Sequence, residues 1–248
     1  MDDMGIQTIT GKAFEYACLL SAKKRAESFG IKVNVITDHI TKGKTSFEKL
    51  APISQKAYLK AADSAMGFIF SCEPHLHDGK IADELKLSLQ GDAKGQSGDV
   101  RDMLFMRWYK RGKVEKRWEC GISCKHNHDA IKHPRVSLSV TNADFLNNWT
   151  GGLFNCSQTY IDVIKKLDLI VTPLVDSKAD WKSLGTEKHE IYESVTTAVA
   201  NEIRNKKDNK DFVIALFNFL LGTNDFYKVI AYETERLTQV SIFNFNGT

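Results

Sequence analysis

The chain has 248 residues, of which 42% are hydrophobic and 26% are charged, a composition typical of an ordinary globular protein. Its formal net charge of +3 gives only weak support to a polyanionic partner. The N-terminus lacks a signal-peptide pattern and no apolar run is long enough to cross a membrane, so we expect no membrane association. Five scattered cysteines without a CxxC pair indicate reduced thiols, and we therefore expect a cytoplasmic protein.

The first ninety residues alternate between helical and strand patterns. Apolar residues at helical spacing, followed by Gly30 as a stop signal, predict a helix over residues 11–30. The next predicted elements are a strand at 31–36, a helical stretch at 47–70 that Pro52 interrupts, and a half-buried strand at 84–89.

Two neighbouring strands follow a Gly-rich loop at residues 91–98. They span residues 100–108 and 114–125, and a basic hairpin connection joins them. The remaining predicted elements are helices at 144–149, 157–171, 177–205 and 210–221 and strands at 225–232 and 239–245. This order predicts an α/β fold with a mixed central sheet flanked by helices, in a single domain over residues 1–248.

The last predicted strand runs into Asn246-Gly247, and an Asn-Gly pair is a strong hairpin signal. The return strand of that hairpin is missing from the sequence. We therefore expect a longer protein truncated at its C-terminus, and a frayed tail is the alternative.

Acidic residues lie where the first of the two central strands begins. Asp102 directly precedes the apolar run of that strand, and Asp99 lies three residues earlier in the loop. Hydrolysis of a phosphodiester needs a cation that neutralises the phosphate and lowers the pKa of the attacking water. Mg²⁺ prefers carboxylate and water oxygens. The sequence therefore predicts a Mg²⁺ site with Asp102 and Asp99 as nearly equal candidate ligands.

The second central strand carries polar residues on one face. Strand alternation places on that face Glu119, Gly121, Ser123 and Lys125. Gly121 leaves room for a ligand or a backbone to approach. Glu119 is a third candidate metal ligand, Ser123 is a weaker member of the site, and Lys125 is placed to orient the water or stabilise the developing charge.

Each of these residues also has an ordinary structural interpretation. An acid such as Asp99 near a strand start is commonly a turn residue. Glu119 can form a cross-strand ion pair with the basic hairpin, and Lys125 can be a solvated edge residue. Their combination on adjacent strands favours a catalytic site.

A run of cationic and ionisable residues begins at the end of the second strand, and it predicts a surface that holds the phosphates of a nucleic-acid backbone. Its members are Lys125, His126, Asn127, His128, Lys132, His133 and Arg135. Zinc binding by the three histidines is the competing interpretation, which the absence of a zinc-ligand spacing disfavours.

The segments Ser-Gly-Asp-Val-Arg-Asp at 97–102, Ile-Ser-Cys-Lys-His-Asn-His at 122–128 and Ala-Ile-Lys-His at 130–133 resemble the type II restriction endonucleases of the HaeIII group, in the PD-(D/E)XK nuclease class. In that class one strand opens with a metal-binding aspartate and the next carries an acid-x-lysine motif. The match falls on Asp102 or Asp99 and on Ser123-Cys124-Lys125. Ser123 departs from the pattern, since the class usually has Asp or Glu there, so either a water or Glu119 would replace the missing ligand.

The resemblance also implies further properties. It implies a restriction-endonuclease-like fold and Mg²⁺-dependent cleavage of double-stranded DNA at a short palindrome, with GGCC as the typical target of the group. A palindromic target implies a homodimer. Glu15 resembles the first-helix glutamate that points at the site in this class, and a helix-surface position is the alternative. A catalytically inactive DNA-binding protein and a repair nuclease without strict site specificity are the rival functions.

Overall fold

The computed structural model describes residues 6–80, 84–91, 99–127, 145–179, 183–232 and 237–244. The chain divides into two compact units, one formed by residues 1–131 and 223–248 and the other by residues 132–222. We describe each unit by itself and refer to them as the sheet unit and the helical unit. A single domain over the whole chain stays a prediction.

In the described residues, the sheet unit contains three α-helices and six β-strands. Its helices are α1 (Ile6–Ser28), α2 (Ile40–Glu48) and α3 (Pro52–Cys72), and its strands are β1 (Lys32–Ile36), β2 (Glu84–Leu89), β3 (Met103–Arg111), β4 (Val114–His126), β5 (Phe226–Tyr232) and β6 (Leu237–Phe243). Gly30 has a positive φ of 76°, which a glycine adopts readily, and this conformation ends α1 as the sequence predicts. Pro52 stands at the first turn of α3, where its missing N–H costs no helical hydrogen bond.

The six strands form one mixed sheet in the order β1-β2-β3-β4-β5-β6. The pairs β1–β2 and β4–β5 are parallel, and the other three pairs are antiparallel. The predicted α/β class with a mixed sheet is therefore confirmed. The β3–β4 hairpin is tighter than predicted, because β3 continues to Arg111 and only Gly112 and Lys113 connect the strands.

One face of the sheet packs against α1 and α3 and forms the core of this unit. The alternation in β2 buries Leu85, Leu87 and Leu89, and Phe14 of α1 and Met66 of α3 are fully buried in the same cluster. On β4 the alternation directs Cys120, Ile122 and Cys124 toward this core. The intervening positions of β4, which carry the predicted site residues, therefore point to the opposite face.

The helical unit contains α4 (Phe145–Trp149), α5 (Gln158–Asp176), α6 (Glu187–Asn205) and α7 (Lys210–Leu221). The predicted helix over residues 177–205 is wrong in its first third, because Lys178 has a positive φ of 53° and α6 begins only at Glu187. Glu202 of α6 is buried and accepts hydrogen bonds from the backbone N–H of Ser157, at 2.8 Å, and from its hydroxyl, at 2.6 Å. These bonds tie the start of α5 to α6.

Within the described ranges, no helix combines the length and the apolar character that crossing a membrane requires. The predicted Asn246-Gly247 hairpin lies outside the described residues.

Candidate active site on strands β3 and β4

The antiparallel register of β3 and β4 brings the start of one strand to the end of the other. Met103 pairs with Ile122, and the backbone N–H of Asp102 donates to the carbonyl of Ile122 at 2.7 Å. The carbonyl of Asp102 accepts from the N–H of Gln90 at 2.8 Å. Asp102 is thus held between β2 and β4, where its side chain reaches the last residues of β4.

The carboxylate of Asp102 collects donors at one of its two oxygens. Its Oδ2 accepts from the backbone N–H of Cys124 at 2.7 Å, the hydroxyl of Ser123 at 3.4 Å and Nζ of Lys125 at 3.4 Å. Among the residues that the structure describes, no hydrogen-bond donor contacts the other oxygen, Oδ1. We call Asp102, Ser123 and Lys125 the Asp102 cluster.

The Asp102 cluster is partly accessible. The side chain of Asp102 is 25% exposed and that of Lys125 is 16% exposed, whereas Ser123 is fully buried. An accessible carboxylate oxygen next to a lysine fits a hard cation held by one carboxylate and completed by water. No group of three histidine, cysteine or acidic side chains placed to bind a metal occurs in the described part of the chain.

Asp99 and Glu119, the other two predicted metal ligands, belong to a different arrangement centred on Arg101. Nε and Nη2 of Arg101 donate to the two oxygens of Asp99, each at 2.8 Å, and Nη1 donates to Oε1 of Glu119 at 2.7 Å. Arg117 forms an ion pair with Oε2 of Glu119. We call these four residues the arginine network. All four of its carboxylate oxygens have a cationic partner.

Gly121 makes room for this network. A β-carbon at position 121 would lie 2.6 Å from Cγ of Arg101 and closer still to Cδ. The sequence predicted that this glycine admits a ligand or a backbone, and the group that it admits is the aliphatic stem of Arg101. Only a residue without a side chain permits that approach.

The middle of α1 lies beside β4. Glu15 is buried rather than on the helix surface, and Lys12 donates to its Oε2 at 3.0 Å. A hydrogen bond with Cys18 and burial raise the pKa of the Cys124 thiol well above its usual value, and the negative charges of Asp102 and Glu15 raise it further. Of the two carboxylates, Asp102 also accepts the backbone N–H of Cys124 and so contacts that residue directly.

The first residues of the predicted phosphate-binding run follow Lys125 directly. Nε2 of His126 is 3.0 Å from the hydroxyl of Tyr58 on α3, and the two rings are 5.2 Å apart. Asn127 has a positive φ of 57°, and its N–H donates to the carbonyl of Ala231 at 3.0 Å. The other predicted members, His128, Lys132, His133 and Arg135, lie outside the described residues.

Sequence reasoning missed two residues of this region. Arg101 stands between two candidate acids in the motif. The only sequence signal for its course is Gly121, which pairs with Leu104 in the register and which the Arg101 side chain approaches. Tyr58 is 68 positions from His126, and nothing in the sequence predicts that contact.

Two comparisons with known proteins point to the same family and match nearly the whole chain. A family model described as HaeIII restriction endonuclease matches residues 11–248. Type II restriction enzyme HaeIII from Haemophilus aegyptius is 31% identical over 241 residues, covering 96% of this chain and 71% of that enzyme. No solved structure was found to match the chain. Both matched regions include the two strands and all residues from Asp99 to Asn127.

Proposed function

Since this chain belongs to the HaeIII restriction endonuclease family, we propose that it hydrolyses phosphodiester bonds of double-stranded DNA with Mg²⁺ at a short GC-rich palindrome. One observation supports this location for the reaction. Oδ2 of Asp102 is bound by β4 and Lys125, while Oδ1 accepts no bond from the described residues. A half-open carboxylate next to a lysine matches the needs of phosphodiester hydrolysis.

Asp102 would hold the cation through its open oxygen. When bound, Mg²⁺ supplies neutralising charge for the phosphate and lowers the pKa of a bound water. The N–H of Cys124 fixes the carboxylate from behind, at 2.7 Å, so that the open oxygen keeps one orientation. Asp99 and Glu119 are weaker candidates for the same role, because Arg101 and Arg117 occupy their oxygens.

Lys125 would act on the reacting phosphate. Its Nζ lies 3.4 Å from Asp102, which keeps the ammonium beside the carboxylate and thus beside the phosphate that the cation would bind. A fixed positive charge there can orient the attacking water or stabilise the charge that develops on the phosphate and the leaving oxygen.

Ser123 would assist without replacing the acid that the nuclease class has at this position. Its hydroxyl is fully buried and lies 3.4 Å from the carboxylate of Asp102, so it supports Asp102 as a donor. This arrangement leaves Asp102 as the main protein ligand and water as the replacement for the missing carboxylate.

DNA would enter along the end of β4 and the residues that follow. Lys125, His126 and Asn127 provide donors at this end of the sheet, and Tyr58 holds the His126 ring. From the sequence alone, we also propose as phosphate contacts His128, Lys132, His133 and Arg135. A GGCC target and a two-fold homodimer follow from the family resemblance and are part of the proposal.

Digestion of plasmid DNA tests the function, with Mg²⁺ in one arm and EDTA in the other. Discrete fragments that appear only with Mg²⁺ support the proposal, and the sequence at their ends gives the recognition site. A smear would favour a repair nuclease, and intact DNA that shifts in a gel would favour an inactive binding protein. Sedimentation of the protein with a short duplex carrying the mapped site tests the dimer.

Lys125→Ala tests the site. We expect cleavage to fall by at least about 100-fold, because the side chain stabilises developing charge, while DNA binding in Ca²⁺ changes by less than about threefold. Lys116→Ala is the matched control, since Lys116 lies on the same strand, is exposed and is far from Asp102 in the register. Cleavage by Lys125→Ala at the parent rate would contradict the site assignment.

A further inference from the structure

We propose that Arg101 is a positioning residue for the proposed nuclease reaction and that it acts through Asp102. This inference rests on the proposed function and assigns a role to a residue outside the predicted site. Arg101 binds neither the cation nor the reacting atoms in this scheme. It anchors the segment 99–102 to β4 and so fixes where the Asp102 carboxylate stands.

The contacts of Arg101 make it the centre of a rigid assembly. Its side chain is only 6% exposed, and its guanidinium group (the fork) donates two hydrogen bonds of 2.8 Å to the carboxylate oxygens of Asp99. The backbone N–H of Arg101 also donates to Oδ1 of Asp99, at 3.1 Å, which closes the turn that leads into β3. Bidentate charged pairs of this kind restrict geometry more than a single contact does.

The third contact of the fork ties this turn to the neighbouring strand. Nη1 of Arg101 reaches Oε1 of Glu119 across the β3–β4 pair at 2.7 Å. The stem of Arg101 crosses β4 at Gly121, where no side chain stands in its way. The arginine is therefore held on β4 by an ion pair at its tip and by packing along its stem.

Asp102 follows Arg101 directly, so the anchor acts on the candidate metal ligand. The backbone of Asp102 is bound to Ile122 of β4 and to Gln90, and its carboxylate is bound to Cys124. Loss of the anchor at the adjacent residue would loosen the segment that carries this carboxylate. A displacement of about 1 Å of a group that positions reactants can reduce the rate about 100-fold.

The anchor has an electrostatic consequence as well. Arg101 and Arg117 neutralise Asp99 and Glu119. Asp99 lies three residues before Asp102 in the chain, and Glu119 lies on the face of β4 that also carries Lys125. Without those cations, their negative charges would repel the DNA backbone. Arg101 thereby leaves Asp102 as the carboxylate with an open oxygen in this part of the described structure.

A double-mutant cycle of Arg101→Ala and Gly121→Ala tests the inference, with cleavage rate, KM for DNA and melting temperature measured for each variant. We expect Arg101→Ala to lower kcat about 100-fold with KM for DNA changed less than about threefold. Gly121→Ala alone should also lower kcat, because its methyl group displaces the Arg101 stem. The double variant should be no worse than Arg101→Ala, since the methyl group then has room.

Other outcomes would overturn the inference. Parent-level kcat in Arg101→Ala, additive losses in the double variant, or a rise in KM with unchanged kcat would each contradict a positioning role. If Arg101→Ala unfolds at the assay temperature, Arg101→Lys carries the test, because lysine keeps the charge but cannot make the bidentate contact. We expect that variant to fold and to lose kcat; full activity in it would overturn the inference. A parent protein that does not cut DNA would instead refute the proposed function and with it this role.

Discussion

The arginine network and the Asp102 cluster lie on or next to the same two strands, and both pair carboxylates with cationic side chains, yet they differ in how their carboxylates are bound. In the network, all four carboxylate oxygens of Asp99 and Glu119 contact Arg101 or Arg117. In the cluster, Lys125 lies at 3.4 Å and Oδ1 of Asp102 accepts nothing from the described residues. A saturated carboxylate suits a structural role, and an open one suits ligand binding.

The largest difference between the two regions should appear in cleavage. We expect Asp102→Asn to lower the cleavage rate by about 1000-fold or more, since the amide removes the charge that would hold Mg²⁺. The amide oxygen can still accept the N–H of Cys124, so the fold should be retained. Single-turnover cleavage of a labelled duplex measures the effect, and circular dichroism checks the fold.

Asp99→Asn is the matched control for this prediction, since it makes the same change three residues earlier. We expect a loss of about tenfold or less, because the amide keeps one bond to Arg101. Equal losses in the two variants would show that the distinction between network and cluster is wrong.

For the free energy of unfolding, we expect the arginine network to contribute more than the Asp102 cluster. Arg101→Ala should lower the free energy of unfolding by about 3 kcal/mol, since it removes the cation that binds both oxygens of Asp99 and one of the two cations that bind Glu119, and both carboxylates are largely buried. Lys125→Ala should lower it by about 1 kcal/mol or less, because its ion pair is longer and reaches a more accessible carboxylate. Urea unfolding of both variants measures the two values. A larger loss for Lys125→Ala would contradict this order.

The smallest expected effect concerns Cys120 and Cys124, whose thiols lie on the core-facing side of β4, opposite the two regions. Burial raises the pKa of Cys120 to about 12, helped by the charge of Glu73, and the pKa of Cys124 is raised as well. Both thiols should stay protonated and unreactive at pH 8, because the thiolate is the reactive form. Cys72 is exposed and should react with iodoacetamide first. Mass spectrometry of the native protein locates the label, and early labelling of Cys124 would show that the Asp102 cluster opens.

The sequence predicted more of the fold than of the bonds within the site. Alternating and helical patterns predicted all six strands, and the family match confirms the predicted membership of a restriction endonuclease family. Strand alternation correctly put Glu119, Ser123 and Lys125 on one face, because periodicity is a local property. The helix predicted over residues 177–205 was wrong only in its first third, where Lys178 has a left-handed backbone, and residues 187–205 are helical.

The sequence alone does not distinguish the role of Asp99 from that of Asp102. Their difference depends on where the Arg101 fork points, and that depends on Glu119, 18 positions away across a strand pair. Contacts of this kind follow from register and packing together. Strand alternation predicts an open position at Gly121, but a glycine alone does not tell which group fills the space.

The parallel pairing of β4 with β5 has a consequence for how the molecule forms. Ser123 pairs with Lys228, so roughly one hundred residues, including the whole helical unit, separate the two partners along the chain. Closing a loop of that length costs chain entropy before the strand contacts form, and such long-range pairing is therefore slow. The β3–β4 hairpin needs a connection of only two residues. We therefore expect the hairpin to form early during folding, and the segment from Gly121 to His126 to gain its second neighbouring strand late.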